Sequence, residues 1–313
     1  RYFTYRLLGA LDGLHARGIM HRDVKPRNVL VCRGHGGRRR SLMLLDLGLA
    51  DFYRPAAAYH VRVASRHYKA PELLCGMRRY DYSCDLWAVG CVLAGLLWRR
   101  EPFFRGRDNV DQLARVADVL GTDGLGAYCA KYGVVLAREV RGAVFVAEDS
   151  DDTDDDQAEA SPRPRGPAPP RKKRAWREIP VPEGAPPVPE HGRDLVDRLL
   201  RYDHAERLTA AEAMAHAFFD DVRGTVEAEW AEEDAVAAAA AAAAGTAPLS
   251  EEERAVALIQ LVDMFPQYDR ADLMAELGER GSAEAVVESV LIGTFQGTPV
   301  WGEGGDGDRD QDG

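Results

Sequence analysis

Apolar side chains open the chain with helical spacing. Phe3, Leu7, Leu11 and Leu14 share one face and Gly18 follows, so residues 1–17 are predicted to form an amphipathic helix. The period then shortens. Val29–Val31 and Leu42–Leu45 are brief apolar runs separated by "CRGHGGRRR", which predicts a hairpin with a Gly-rich turn. No helix start follows that turn, so it is not read as a phosphate-binding loop. Residues 86–98, "LWAVGCVLAGLLW", are apolar on every side and predict a central buried helix. Residues 109–120 and 193–201 have amphipathic helical patterns, and Thr209–Glu212 is a capping box that starts another helix.

Beyond these elements the pattern breaks. Residues 147–190 run acidic, then Pro-rich, then basic, and are expected to be a mostly disordered insertion. Residues 222–249 read as an Ala/Glu-rich linker, helical up to Gly245. Helical periodicity returns over 250–293, a small domain of three helices, and 294–313 read as a disordered tail. The expected fold is mainly α: a first domain over 1–221 with small β-hairpins, and a three-helix bundle.

Composition narrows the possibilities. An apolar fraction of 46% suffices for a sizeable core, and no apolar run reaches the length of a membrane span, so no membrane partner is expected. The five cysteines lack disulfide or metal-ligand spacing, which suits a reducing compartment. Net charge is −11, but the first hundred residues carry 18 Lys and Arg against 7 Asp and Glu. A basic front half suits either nucleic acid or an acidic protein.

Motifs decide between those partners. Residues 21–28 match H-R-D-x-K-x-x-N, Asp46-Leu47-Gly48 follows the hairpin, and "APE" (Ala70–Glu72) and "DLWAVG" (Asp85–Gly90) come next. That order and spacing resembles the protein kinases. Phosphoryl transfer needs a carboxylate to orient the attacking hydroxyl, oxygen ligands for magnesium, and a cation on the moving phosphate. The resemblance gives these roles to Asp23 as base, Asn28 and Asp46 as Mg2+ ligands, and Lys25 as cation. It also implies that Asp85 braces the catalytic loop and that Glu72 pairs with Arg207.

"GIMHRDVKP", "VRVASRHYKAPELL", "YDYSCDLWAVGCVLA", "EPFFRGRDNVDQL", "KYG", "RKKRAW" and "LLRYDHAERLTAAEAMAHAFF" narrow the resemblance. Together they look like the catalytic alpha subunit of casein kinase II over about residues 1–220. That resemblance implies a Ser/Thr kinase of acidic protein substrates, able to use ATP or GTP, found in nucleus and cytoplasm, with no nucleic-acid partner. It implies that Arg62, Arg66 and Lys69 bind the acidic group just after the target residue, and that Leu30 and Leu45 floor the adenine.

The sequence departs from that family in places. Leu47 stands where the family has Trp, and His67-Tyr68 replaces an aromatic pair. The chain begins at Arg1, and no Gly-rich loop, strand Lys or helix Glu of the amino-terminal lobe is found in it. The expectation is therefore a helical lobe alone, poor at binding nucleotide. The family's regulatory beta subunit is expected as a partner only where the amino-terminal lobe is present.

Two further readings concern the remainder. "LIQLVDMFPQYDRADLMAELGERGSAEAVVESVL" resembles a CUE domain, a ubiquitin-binding module, and points to Met264, Phe265 and Leu291 as the contact residues. Thr153, followed by three aspartates, fits an acid-directed kinase and is expected to be an autophosphorylation site. The competing reading of the whole is a non-catalytic scaffold or ubiquitin-binding adaptor.

Overall fold

The computed structural model describes residues 1–32, 41–145, 170–244, 251–265, 268–280, 283–291, 295 and 297. It divides into two compact units, Arg1–Ala228 and Glu229–Gly313.

The first unit opens with α1 (Tyr2–Ala16), which buries Leu7, Leu8 and Leu11 and ends before Gly18. Strand β1 (Ile19–Met20) leads into the catalytic-motif segment and pairs antiparallel with β4 (Asp51–Phe52). Between them lies the expected hairpin, β2 (Val29–Cys32) against β3 (Ser41–Leu44), with Leu30 opposite Met43. Its Gly-rich turn lies outside the described residues. Short helix α2 (Pro71–Leu74) carries the Ala-Pro-Glu motif, with Pro at a first-turn position where its missing N–H costs nothing.

The apolar run forms α3 (Ser83–Leu97), buried from Cys84 to Gly95. It packs on α7 (Glu190–Leu199), which begins three residues before the periodicity suggested. Gly90 permits this approach, because a Cβ there would meet Leu200 Cδ2 at 2.8 Å and Leu199 Cβ at 3.0 Å. Helix α4 (Asn109–Leu120) matches its expected bounds and is capped by Asp108, which accepts from the Asp111 N–H. Helices α5 (Asp123–Tyr132) and α6 (Arg138–Phe145) were not foreseen. Helix α8 (Ala210–Met214) carries the predicted capping box, and α9 (Arg223–Ala244) covers most of the expected linker.

One expectation fails over part of its range. Residues 170–190, assigned to a disordered insertion, are packed. Trp176, Ile179 and Val188 are buried, and Trp98 Nε1 donates to the Ile179 carbonyl at 3.2 Å. Arg171 donates to Asp118 at 2.8 Å and to the carbonyls of Ala114 and Ala143. Gly121, at φ 80°, admits this strand of chain, since a Cβ there would lie 2.6 Å from the Lys173 nitrogen. Each large apolar anchor contributes about 1.5–3 kcal/mol when buried, and the Trp98 and Arg171 hydrogen bonds add to it.

In the second unit α10 (Glu251–Met264), α11 (Arg270–Arg280) and α12 (Ala283–Leu291) each contact the other two. Leu258, Leu261, Phe265, Leu273, Leu277 and Val286 are buried. Phe295, assigned to the disordered tail, stacks edge-on to Tyr268 at 4.9 Å. No helix among the described residues is long and apolar enough to cross a membrane.

Candidate active site

The catalytic-motif segment leaves β1 at His21 and is gripped from below by Asp85 on α3. The Asp85 carboxylate accepts from the His21 N–H at 2.9 Å, the Arg22 N–H at 2.8 Å and His15 Nε2 at 2.9 Å. These bonds hold Arg22 in a left-handed conformation, φ 63°, that a non-glycine residue adopts only when its surroundings impose it. His21 accepts the Asp23 N–H through Nδ1 and reaches the Leu45 carbonyl through Nε2 at 3.1 Å. That pattern requires the neutral tautomer with its proton on Nε2.

Asp23, nearly buried, sits at the centre of the cluster. One carboxylate oxygen accepts from Lys25 Nζ. The other accepts from the Ser65 N–H at 2.9 Å and the Ser65 hydroxyl at 2.8 Å. Asn28 Nδ2 donates to the Asp23 carbonyl at 2.9 Å, and Lys25 also donates to Ser65 Oγ at 3.0 Å. Burial pushes the Asp23 carboxyl pKa up. The hydrogen bonds from Lys25 and Ser65, with the Lys25 charge, outweigh burial and hold it below the usual carboxylate range. Ser65, on the segment between Asp46-Leu47-Gly48 and Ala70–Glu72, is not among the residues that the motifs single out. Its place beside Asp23 and Lys25 depends on a return of the chain that no local pattern announces.

The second motif is fastened to the first. The Leu45 N–H donates to the Asn28 carbonyl at 2.7 Å, so Asp46 follows directly on a residue tied to Asn28. Asp46 is exposed, at φ 68°, and one carboxylate oxygen accepts from the Gly48 N–H at 3.2 Å. Asn28 uses its amide N–H groups on Asp23, which leaves the amide oxygen as its acceptor. These oxygens form a hard donor set, of a kind suited to magnesium when the remaining ligands are phosphate and water.

Leu30 and Leu45 are 44% and 39% exposed, and Met43, the cross-strand partner of Leu30, is also exposed, so this side of the hairpin presents an apolar surface. On the activation segment Arg62 and Arg66 are exposed and Lys69 is buried. Among the described residues no carboxylate pairs with any of the three. Burial, then the Arg66 charge, lowers the Lys69 pKa.

The Protein kinase domain model matches residues 1–219, well over half of the chain. The chain belongs to the protein kinase family. Phosphotransfer from ATP, with magnesium, is the chemistry of that family. Behind the site Glu72 and Arg207 form the expected pair, two bonds of 2.7 Å with both side chains fully buried. Arg207 also donates to the carbonyls of Arg201, Tyr202 and Ser83 and lies over the Trp87 ring.

The remaining sequence-assigned residues are dispersed or undescribed. Thr153 lies outside the described residues. In the second unit Met264 is 49% exposed, but Phe265 is 1% exposed. The expected exposed Met-Phe pair is therefore split, because Phe265 fills the core between helices. Leu291 closes α12, and its side chain is outside the described residues.

Proposed function

We propose that this kinase domain is a serine/threonine kinase of casein kinase II type that phosphorylates acidic sites. The observation that carries this reading is the set of cations without carboxylate partners at Arg62, Arg66 and Lys69, on the segment that supplies Ser65 to the Asp23 cluster. A phosphate or carboxylate on the substrate is the natural counter-charge. In this reading Asp23 accepts the proton of the attacking hydroxyl, and Lys25, released from Asp23, meets the transferred phosphate. Asn28 and Asp46 would hold magnesium, which offsets charge on the phosphates. The apolar surface of Leu30 and Leu45 would lie under adenine or guanine, consistent with use of ATP or GTP. Turnover requires a nucleotide-clamping amino-terminal lobe, and a regulatory beta subunit is a partner in that context. Nucleus and cytoplasm are the proposed locations.

The test is phosphorylation of paired peptides by this chain joined to a family amino-terminal lobe. Peptides with Asp or Glu after the target Ser or Thr should be strongly preferred over Ala counterparts. Equal rates would remove the acid-directed reading and leave a kinase of other specificity. The same incubation should label Thr153.

A second reading applies to residues 250–293: a ubiquitin-binding module. The exposed apolar side chains Val256, Ile259 and Met264 favour it. Titration of ubiquitin into the chain should shift resonances of Met264. Phe265→Ala is a poor probe, since it would empty the core, and Met264→Glu is the informative variant.

A further inference from the structure

Behind the catalytic-motif segment lies a cavity of about 260 Å³, walled by α1, the entry to α3 and the turn that leads into α8. Leu86, Leu208 and the Tyr82 ring give it apolar walls. Many of its polar groups are already taken. The N–H donors of Arg207 go to Glu72 and to the carbonyls of Arg201, Tyr202 and Ser83. Thr209 is closed into the capping box with Glu212, and His204 meets the Tyr128 hydroxyl through Nδ1 at 3.1 Å. The groups that remain are chiefly acceptors. Asp12 has no partner for its carboxylate among the described residues, and Asp81 uses one oxygen, on the Ser83 N–H at 2.9 Å. His15 gives Nε2 to Asp85, so in the neutral ring Nδ1 is an acceptor, and no described group donates to it. The Ser83 hydroxyl is shut off from solvent and has no hydrogen-bond partner. A buried polar atom left in that state calls for a partner.

We propose that this cavity binds a compact organic cation, an ammonium or amidinium group on an apolar body. Asp12 and His15 lie one turn apart on α1, and Asp81 lines the same cavity from the entry to α3. Acceptors from two elements therefore converge with no cation among them. A ligand that donates hydrogen bonds and carries positive charge completes the set, through charge-assisted bonds, whereas an anion would meet two carboxylates. The apolar walls and the Tyr82 ring suit the body of such a ligand. Roughly 150 Å³ of apolar cavity holds benzene, so 260 Å³ leaves room for a ring and a charged head. The larger cavity beside α5, about 440 Å³, makes no such demand, because its charges are matched: Lys131 with Asp203, Lys173 with Asp197 and Arg201 with Glu206. An occupant of the smaller cavity would touch His15, which bonds to Asp85, and Asp85 holds the His21 and Arg22 N–H groups. The site thus lies directly behind the brace of the catalytic-motif segment.

The experiment titrates benzamidine into the full chain by calorimetry, with neutral benzamide and anionic benzoate as controls of matched shape. The expected result is saturable binding of benzamidine, about tenfold or more tighter than benzamide, and no binding of benzoate. Asp12→Asn and Asp81→Asn should each weaken benzamidine by about tenfold, with the thermal midpoint of the free protein kept. Where a variant does not fold, NMR of the wild-type chain locates the ligand, since benzamidine should shift the His15 ring resonances. Benzamidine that fails to saturate at millimolar concentration, or that binds no better than benzamide, would overturn the proposal. So would wild-type affinity in both folded variants, or His15 resonances that do not move at saturation.

Discussion

Glu72–Arg207 and the Arg62, Arg66, Lys69 group lie within one stretch of the fold and share the same charged chemistry. The first is closed. Both partners are fully buried, the guanidinium fork meets both carboxylate oxygens, and backbone carbonyls take the remaining N–H groups. The second is open: three cations on the activation segment have no carboxylate partner among the described residues. A buried pair is tolerated only when every donor is satisfied. Arg62 and Arg66 are exposed and carry no such requirement, so their charge remains available to an incoming anion, whereas Lys69 is buried on the same segment. The Asp23 cluster stands between these extremes. Its carboxylate is matched by the Lys25 ammonium and by the hydroxyl and N–H of Ser65, without the complete enclosure of the Glu72–Arg207 pair.

The contrast is sharpest where loss is largest. Arg207→Ala leaves Glu72 charged and buried without a partner, and should destabilise the first unit by about 3–5 kcal/mol in urea unfolding. Arg62→Ala, by contrast, should stay within about 0.5 kcal/mol of the parent. If the two variants unfolded alike, the division into closed and open clusters would be wrong. The second unit offers a parallel pair. Phe265→Ala should cost about 3–5 kcal/mol and melt the three helices, whereas Met264→Ala should leave them intact. Circular dichroism of the two variants checks this.

For the intermediate cluster, Asp23→Asn should lower turnover by about 100-fold or more with the fold retained, the usual scale for a positioned proton acceptor. Ser65→Ala probes the electrostatics more gently. Ser65 bonds keep the Asp23 pKa low, so the ionised form persists above that lowered value and is lost only as pH falls through it. Removing the hydroxyl raises the pKa, so the acidic limb of kcat/KM should move to higher pH. A limb that did not move would mean that Ser65 does not tune the base.

Much of this was legible in the residues. The order and spacing of His21–Asn28, Asp46–Gly48, Ala70–Glu72 and Asp85–Gly90 pointed to a protein kinase, and the family match over residues 1–219 bears that out. Helix α3 was legible because it is apolar on all sides. What escaped depends on contacts between distant residues. Trp176, Ile179 and Val188 are isolated anchors in a Pro-rich, basic stretch, and their value is visible only against Trp98 and α7. Ser65 becomes part of the site only when the activation segment folds back to Asp23. Phe265 read as a surface residue because a single turn decides whether it faces inward.

The central claim is that the open cations read substrate charge. Its most direct test is a peptide library phosphorylated by the lobe-joined kinase and by its Arg62→Glu, Arg66→Glu, Lys69→Glu triple variant. The account predicts that the preference for acid just after the target falls by about 1–3 kcal/mol, the scale of charge-assisted contacts, with activity on a neutral peptide retained. An unchanged preference profile in the triple variant would contradict it.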